Sequence, residues 1–435
     1  MTRNWFLALL ALPTWLGAAE GFETLRPFEG RTITRIEVAG NRITREQVIL
    51  RELHSHVGQS LRLQQVQTDI QRLDNLDIFS SAKVVPVADG DGVALTIEVR
   101  ELPFAVPYIT YDVTDQDGWS FGPALKSVNM LGRDLYVAGF ALFGGKTSFL
   151  LDLNYPWIAG NHFSLDLTLA RIERENELDG FRETTFEISP WFGMYLRERG
   201  RVKFGGSYFR AQSDVPGHTL SKDGSDQLFQ IGAGAGYDSR DVWGNPHEGW
   251  FNEIEAVKTG GVLGGDGDFW TAHLDVRRFQ PAGATHTLVL ASLLSLQSGA
   301  VGRSIPEYLD FHLGGANSIR GYQLEELGRD LYGKNQWIGT AEYRFPLMAS
   351  KEYSLLGLRA DLGLAGALFA DAGLAWSRDR EFTLARARMG YGLGLRLLMP
   401  AVDMARFDVG FDKAGNWRLY LAVFSKLEAQ RFRLR

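Results

Sequence analysis

The chain has 435 residues, of which 45% are hydrophobic and 23% are charged, so its composition is that of a folded protein and not of a disordered one. The net charge of −6 argues against a nucleic-acid partner, and the absence of cysteine excludes disulfide bonds, thiolate zinc sites and thiol nucleophiles. Beyond the N-terminus, no apolar run is long enough for a membrane-spanning helix, whereas the alternating strands of a membrane barrel would escape such a search.

Residues 1–19 have the pattern of a secretory signal. Arg3 supplies a positive charge, a mostly apolar run follows at 5–16, and residues 17–19 are the small residues that precede a cleavage site. A buried N-terminal helix is the alternative, but the apolar run ends in a small-residue site and is too short to span a membrane. We therefore predict that the protein is exported from the cytoplasm.

Residues 30–102 predict a small α/β domain with the order β-α-α-β-β. A first strand ends near Gly40, and a helix follows at Thr44 and Gln47, whose spacing resembles a capping box. The second helix has one apolar face, formed by Leu63, Val66, Ile70 and Leu73. Two further strands flank the glycine-containing turn at 89–92, as in a β-hairpin.

This order resembles a POTRA (polypeptide-transport-associated) domain. The resemblance also rests on the segment Val38-Ala39-Gly40-Asn41 after the first strand and on Asp77-Ile78-Phe79 before the second. It implies that an unfolded protein client adds a strand to an edge of the small sheet. A spacer domain with no client contact is the alternative.

From residue 106 to residue 426 the apolar residues alternate with polar residues or glycine. Residues 163–169 and 389–397 show this period of two without interruption. We count sixteen strands, an even number, as expected for a bacterial transmembrane β-barrel. A soluble sandwich would bury the charged residues of these strands without partners, whereas a barrel lumen can hold them. The predicted fold is therefore an α+β domain followed by an all-β, 16-stranded antiparallel barrel, with a C-terminal tail at 427–435.

Two connections between the predicted strands are long. If the small domain is periplasmic, connections after odd-numbered barrel strands are extracellular, and the longest of these is 298–334. Segment 346–362 follows the twelfth strand and would be a periplasmic turn, but its length exceeds what such a turn needs. The sequence pattern does not explain it.

Four segments together resemble the BamA/TamA superfamily, also called the bacterial surface antigen family. The long loop contains Ile319-Arg320-Gly321-Tyr322, which matches the family's loop motif. The other three segments are on consecutive predicted strands, and they are Gly339–Pro346, Phe369–Gly373 and Tyr391–Arg396. The resemblance covers most of the chain beyond the signal segment.

The resemblance implies that the loop motif inserts into the barrel lumen. Alternation on the thirteenth strand turns Phe369, Asp371 and Gly373 toward the lumen, where a carboxylate is a natural partner for the Arg320 guanidinium. Glu342 on the twelfth strand is a second candidate acceptor. A solvated surface loop is the alternative.

The first and last strands would form a weak seam at which a client strand can pair. The candidate seam residues are Pro107 and Tyr108 on the first strand and Tyr420 and Phe424 on the last. Pro107 lacks an N–H group and so removes one hydrogen-bond donor from that edge.

The implied function is assistance in inserting proteins into the outer membrane or in translocating them across it. The expected partners are outer-membrane lipids and an unfolded β-rich client, which the POTRA-like domain would bind in the periplasm. We expect no catalytic residue, no metal and no cofactor. The alternatives are a translocator dedicated to one partner and a passive channel or structural barrel.

Overall fold

The computed structural model describes residues 23–103, 105–114, 118–159, 163–176, 181–322, 332–355, 358–378, 381–399 and 402–422. The predicted signal segment 1–19, the candidate seam residue Phe424 and the tail at 427–435 lie outside the described residues. No helix in the described part of the chain is long and apolar enough to cross a membrane.

The N-terminal domain has the predicted order β-α-α-β-β. Its elements are β1 (Ile33–Ala39), α1 (Glu46–Leu50), α2 (Leu63–Asn75), β2 (Phe79–Asp89) and β3 (Gly92–Glu101). The sheet order is β1-β3-β2, with β1 parallel and β2 antiparallel to the central strand. Val66 and Leu73 of α2 pack with Ile97 of β3 in one apolar core.

The predicted capping box at Thr44 is wrong. The residue before α1 is Arg45, and no side chain caps the helix. The hydroxyl of Thr44 instead accepts a hydrogen bond of 2.8 Å from the side-chain amide of Asn129, which lies at the end of a barrel strand. The polar side chain that the local pattern assigns to the helix therefore serves a contact between domains.

Within the described residues, sixteen strands form one antiparallel sheet, as predicted. They are β4 (Ala105–Thr114), β5 (Gly118–Met130), β6 (Leu135–Gly144), β7 (Ser148–Tyr155), β8 (Phe163–Asn176), β9 (Phe181–Leu196), β10 (Gly200–Ser213), β11 (Ser225–Asp238), β12 (Gly249–Gly260), β13 (Asp268–Pro281), β14 (Thr287–Gln297), β17 (Asn335–Leu355), β18 (Leu358–Trp376), β19 (Arg388–Met399), β20 (Val402–Phe411) and β21 (Trp417–Ala422). Two short strands, β15 (Phe311–His312) and β16 (Tyr332–Gly333), pair within the long loop.

The sheet is apolar outside and polar inside. On β19, Met389, Tyr391 and Leu393 are more than half exposed, whereas Arg396 on the opposite face is 1% exposed. A soluble sheet would reverse this arrangement. Outward apolar side chains and enclosed charges are the pattern of a transmembrane barrel.

The expectation that 346–362 is a connecting segment is wrong. Strands β17 and β18 continue as a hairpin whose last pair is Leu355 with Leu358. Their outer neighbours end earlier, because β14 pairs with β17 only as far as Arg344 and β19 pairs with β18 only from Gly363 onward. The hairpin therefore extends beyond the barrel wall at the same end as the N-terminal domain, and part of β18 lies within 8 Å of β2, Cα to Cα.

The N-terminal domain packs against several turns at one end of the barrel. Arg51 pairs with Asp134 at 3.2 Å and lies over the ring of Trp157 at 4.4 Å. Farther around the rim, the backbone N–H of Trp243 donates to the side-chain oxygen of Asn75 at 2.9 Å. Asp134, Trp157 and Trp243 all follow even-numbered barrel strands, which places the domain at the end that parity assigns to the periplasm.

Candidate functional site

The long loop after β14 turns back into the barrel. Its tip, residues 314–322, is closed by a 2.7 Å hydrogen bond from the N–H of Gly315 to the carbonyl of Tyr322. Ile319 and Arg320 are both 0% exposed, although they lie in a loop between two surface strands. This burial requires that the tip rest against the inner wall. We call the described residues 298–322 and 332–334 the lumenal loop.

Arg320 and Asp371 form a bidentate pair. The guanidinium donates from Nε to Oδ2 at 2.8 Å and from Nη2 to Oδ1 at 3.0 Å. The backbone N–H of Arg320 also donates to Oδ2 at 3.1 Å, and the hydroxyl of Thr340 donates to Oδ1 at 3.1 Å. The carboxylate of Asp371 therefore receives donors from both the loop and the wall, in the fork geometry that favours arginine over lysine.

Two more carboxylates reach the same guanidinium. Nη1 of Arg320 donates to Glu342 at 3.2 Å and to Asp408 at 3.0 Å. Arg396 bridges these two acids, with 2.7 Å to Glu342 and 2.5 Å to Asp408, and Arg344 pairs with Glu342 at 2.8 Å. We call Arg320, Asp371, Glu342, Asp408, Arg396 and Arg344 the loop network. Enclosed charges are stable only when they are paired in this way.

The remaining predicted partners touch the tip by packing. The ring of Phe369 lies 3.3 Å from the guanidinium carbon of Arg320, in cation–π contact. At Gly373, an added Cβ would lie 2.7 Å from the end of the Ile319 side chain. The residues predicted as loop partners, Asp371, Glu342, Phe369 and Gly373, therefore lie together around Ile319 and Arg320.

Glycines on β19 and β20 form a groove for the loop backbone. A Cβ at Gly390 would overlap the carbonyl oxygen of Arg320, and one at Gly410 would come within 2.7 Å of the backbone nitrogen of Gly321. Gly321 itself has φ +105°, a conformation that favours glycine. The loop approaches so closely because these wall positions carry no side chain.

The fourth motif residue and one seam residue meet at the end strand. The hydroxyl of Tyr322 donates to the carbonyl of Met389 at 3.1 Å. The hydroxyl of Tyr420 on β21 donates to the carbonyl of Tyr322 and accepts from the N–H of Gly321, both at 3.0 Å. The other described seam residues, Pro107 and Tyr108, lie on β4, opposite Leu125 and Ala124 of β5, and they do not join this cluster.

Asp408 and Arg396 are central to the network but were not nominated as loop partners. Alternation turns Arg406, Asp408 and Gly410 to one face of β20, which could have marked Asp408 as lumenal. Its contact with Arg320 depends on how deeply the loop inserts. Among the described residues, no His, Asp or Glu cluster could hold a metal ion.

Comparison with protein families matches residues 129–426 to the Omp85 superfamily domain. The chain belongs to the Omp85 superfamily. Residues 31–102 match the surface antigen variable number repeat, which is the POTRA domain. The resemblance to the BamA/TamA superfamily and the predicted fold are thus confirmed. The protein is an outer-membrane protein whose POTRA domain lies in the periplasm.

Two curated relatives are outer membrane protein assembly factors BamA. The protein from Nitratidesulfovibrio vulgaris is 27% identical over 399 residues, covering 87% of this chain and 48% of the relative. The protein from Neisseria meningitidis is 24% identical over 424 residues, covering 87% of this chain and 51% of the relative. The chain thus spans about half the length of these relatives.

Two solved structures have a similar fold. BamA from Haemophilus ducreyi lacking POTRA domains 1–3 matches with a TM-score of 0.55 and 14% identity, covering 90% of this chain and 83% of that one. CdiB from Escherichia coli matches with a TM-score of 0.56 and 14% identity, covering 91% and 76%. At this identity the likeness concerns the fold alone.

Proposed function

We propose that this protein assists the insertion of unfolded β-rich proteins into the outer membrane or their translocation across it. The observation that carries the proposal is the loop network, in which a motif arginine on a separate loop is fully enclosed against the four barrel strands β17 to β20. Each enclosed charge is costly to desolvate, and this network joins a separate loop to the wall, whereas an ion pair within the wall joins only strands. Such a network holds the tip of the loop at one defined place on the barrel wall.

The POTRA domain supplies a first contact for the client. Strands β1 and β2 are the two edges of its sheet, and each pairs only with β3 among the described strands. Val85 and Val87 on β2 are exposed and offer apolar contacts beside the open edge. An extended segment of an unfolded protein can add to such an edge through main-chain hydrogen bonds.

The seam supplies the second contact. Within the described residues, β4 pairs with β5 alone and β21 with β20 alone, so the sheet order ends at these strands. Ile109 and Tyr111 on β4 are exposed at 79% and 69%. The unpaired edge of such a strand, in contact with lipid, is a template on which a client strand can pair before it enters the membrane.

A reconstituted assay tests the proposal. Liposomes of outer-membrane lipids with and without the purified protein would receive a urea-unfolded, eight-stranded outer-membrane barrel, whose folding is followed by its mobility shift on unboiled gels. We expect the protein to accelerate folding several-fold and Arg320→Ala to lose most of that acceleration. Equal rates with and without the wild-type protein would contradict general insertion.

Photo-crosslinking in cells separates the alternatives. A crosslinking residue at Val85 or Val87 would capture many outer-membrane proteins if the chain is an assembly factor. Capture of a single exported protein would identify a dedicated translocator. If neither position captures a protein while the barrel still conducts ions in planar bilayers, the chain is a passive channel and the proposal fails.

A further inference from the structure

Tyr420 connects the lumenal loop to the end strand of the barrel. Its hydroxyl uses both of its hydrogen-bonding roles on the loop backbone, because it donates to the carbonyl of Tyr322 and accepts from the N–H of Gly321. Both bonds are 3.0 Å long. Since the two backbone groups belong to consecutive residues of the motif, a small displacement of the tip would break both bonds together.

In the described part of the chain, the end strand β21 has a hydrogen-bonded neighbour on one side only. Strand β21 spans Trp417–Ala422 and pairs along one side with β20, from Arg406 with Ala422 to Phe411 with Trp417. Its outward residues, Leu419 and Leu421, are exposed at 58% and 65%. On the inward face, Tyr420 therefore adds a loop contact to a strand whose described residues pair along one side only.

The tip contacts the other strands through ion pairs, a side-chain hydroxyl and close backbone packing. Arg320 is held by ions on β17, β18 and β20, and the hydroxyl of Tyr322 reaches β19. Gly321 is pressed on the backbone of Phe411, where a Cβ would lie 2.5 Å from the carbonyl oxygen. These contacts fix the positions of the Gly321 N–H and the Tyr322 carbonyl. Because the Tyr420 hydroxyl bonds to both groups, the position of β21 depends on the position of the tip.

We propose that Tyr420 is a positioning residue that couples docking of the loop to anchoring of the end strand β21. While Arg320 is seated, the Tyr420 hydroxyl holds β21 against the loop; when the loop leaves the wall, β21 loses both bonds and becomes easier to displace from the loop. The inference rests on the proposed function, in which the unpaired edge of that strand receives the client. It assigns the coupling to one hydroxyl group.

Hydrogen exchange of the full chain in liposomes tests the coupling, read in peptides that cover 417–422. Tyr420→Phe removes only the hydroxyl and should raise exchange in β21 about tenfold, since it deletes two hydrogen bonds. Tyr322→Phe is the matched control, because its hydroxyl donates to Met389 on β19 and accepts a longer bond, 3.5 Å, from the N–H of Lys413 in the turn before β21, and neither bond goes to β21 itself. It should leave exchange in β21 within about twofold of the wild type.

A second comparison does not depend on Tyr420→Phe alone. Arg320→Ala should raise exchange in β21 when the hydroxyl is present, and it should add little in the Tyr420→Phe background, because the coupling bond is already missing. Unchanged exchange in Tyr420→Phe, or an equal effect of Arg320→Ala in both backgrounds, would overturn the coupling.

The exchange measurement contains no client, so its result is independent of the proposed function. Loosening of β21 in Tyr420→Phe with no change in the folding rate of the urea-unfolded barrel would leave the coupling standing and would refute its role in client entry. Loosening of β21 together with a several-fold change in that rate is the result we expect.

Discussion

Two of the ion networks that are enclosed in the described part of the barrel differ in what they connect. In the loop network, Arg320 lies on a separate element and its acids lie on three wall strands. In the other network, Lys203 on β10 pairs with Glu253 at 3.1 Å and with Glu255 at 2.5 Å, both on β12. We call Lys203, Glu253 and Glu255 the wall network.

We expect the wall network to affect the stability of the barrel and the loop network to affect the position of the loop. All three side chains of the wall network are less than 5% exposed, as are Arg320 and Asp371. Burial and charge pairing are therefore similar, and desolvation makes both networks costly to break. Loss of the wall network can only weaken strands that remain hydrogen-bonded to their neighbours, whereas loss of the loop network can release a whole segment. Variants of the two networks should therefore fail in different ways.

The largest effect is expected from Arg320→Ala and Asp371→Ala. Breaking one partner of a fully enclosed pair costs about 3–5 kcal/mol, and water in the lumen reduces this toward the lower end. The loop should become sensitive to added protease, and client folding should be impaired, while the barrel still shifts on unboiled gels. In a double-mutant cycle of loop cleavage, the two losses should be strongly non-additive.

Additive losses would mean that the pair does not act as a unit and would direct attention to Glu342 and Asp408. Unchanged client folding in both variants would remove the functional role of the network, even if the loop were released. The same gels provide the folding control, because a variant without a heat-dependent shift is not informative about the loop.

Lys203→Met is the matched test on the wall network. It leaves Glu253 and Glu255 without their shared cation, and an uncompensated enclosed charge again costs about 3–5 kcal/mol, toward the lower end in a wet lumen. The temperature at which the barrel loses its gel shift should fall. Protease cleavage of the loop and the rate of client folding should stay at wild-type values. If Lys203→Met impairs client folding as strongly as Arg320→Ala, the distinction between the two networks is wrong.

A pair of glycines sharpens the comparison without changing any charge. Gly390→Ala places a methyl group against the backbone of Arg320, whereas Gly234→Ala places one 2.8 Å from the flexible side chain of Lys203. Overpacking against a fixed backbone costs about 1–3 kcal/mol. We expect Gly390→Ala to increase loop cleavage roughly tenfold and Gly234→Ala to change it less than twofold. Equal cleavage in the two variants would show that the loop is not seated in the glycine groove.

The sequence predicts the parts of the site that follow from local patterns, and it does not predict contacts between residues that are far apart in the chain. Alternation alone turns Phe369, Asp371 and Gly373 inward, and the motif supplies Arg320, so this part of the arrangement was within reach. The contact of Arg320 with Asp408 spans 88 positions and depends on loop depth and strand register, which no local pattern encodes. The bonds of Tyr420 depend on the same loop path.

The predictions for 346–362 and for Thr44 fail for different reasons. At Pro346 and Met348 the ladder between β17 and β18 shifts register, and it shifts again before Lys351. These irregularities interrupt the period of two, so a continuous hairpin has the sequence pattern of a connection. At Thr44, local spacing predicts that the hydroxyl caps a helix, but it accepts a hydrogen bond from the side-chain amide of Asn129 in the barrel instead. An irregular ladder therefore conceals the hairpin, and a tertiary contact overrides the local pattern at Thr44.

The smallest expected effect concerns a part of the lumenal loop that lies outside the loop network. Asp310 is 6% exposed, and burial raises its pKa to about 7, with a further increase from Glu307 and an opposing effect of Lys334. In a released loop the carboxyl would return to an ordinary pKa near 3.8. The docked loop therefore binds more protons between about pH 4 and pH 7, so its docking weakens as pH rises through this range and levels off above it.

Limited proteolysis of the wild-type loop should accordingly become faster from pH 5 to pH 7 and then remain constant, once the intrinsic pH dependence of the protease has been subtracted with an unfolded substrate. Asp310→Asn cannot ionise and should show a flat profile over the same range, while Lys203→Met should keep the wild-type slope because the wall network does not touch this part of the loop. A slope that persists in Asp310→Asn would assign the dependence to another group. A flat wild-type profile would mean that protonation of Asp310 is not coupled to docking of the loop, and the two networks would then differ only in the element that each of them holds.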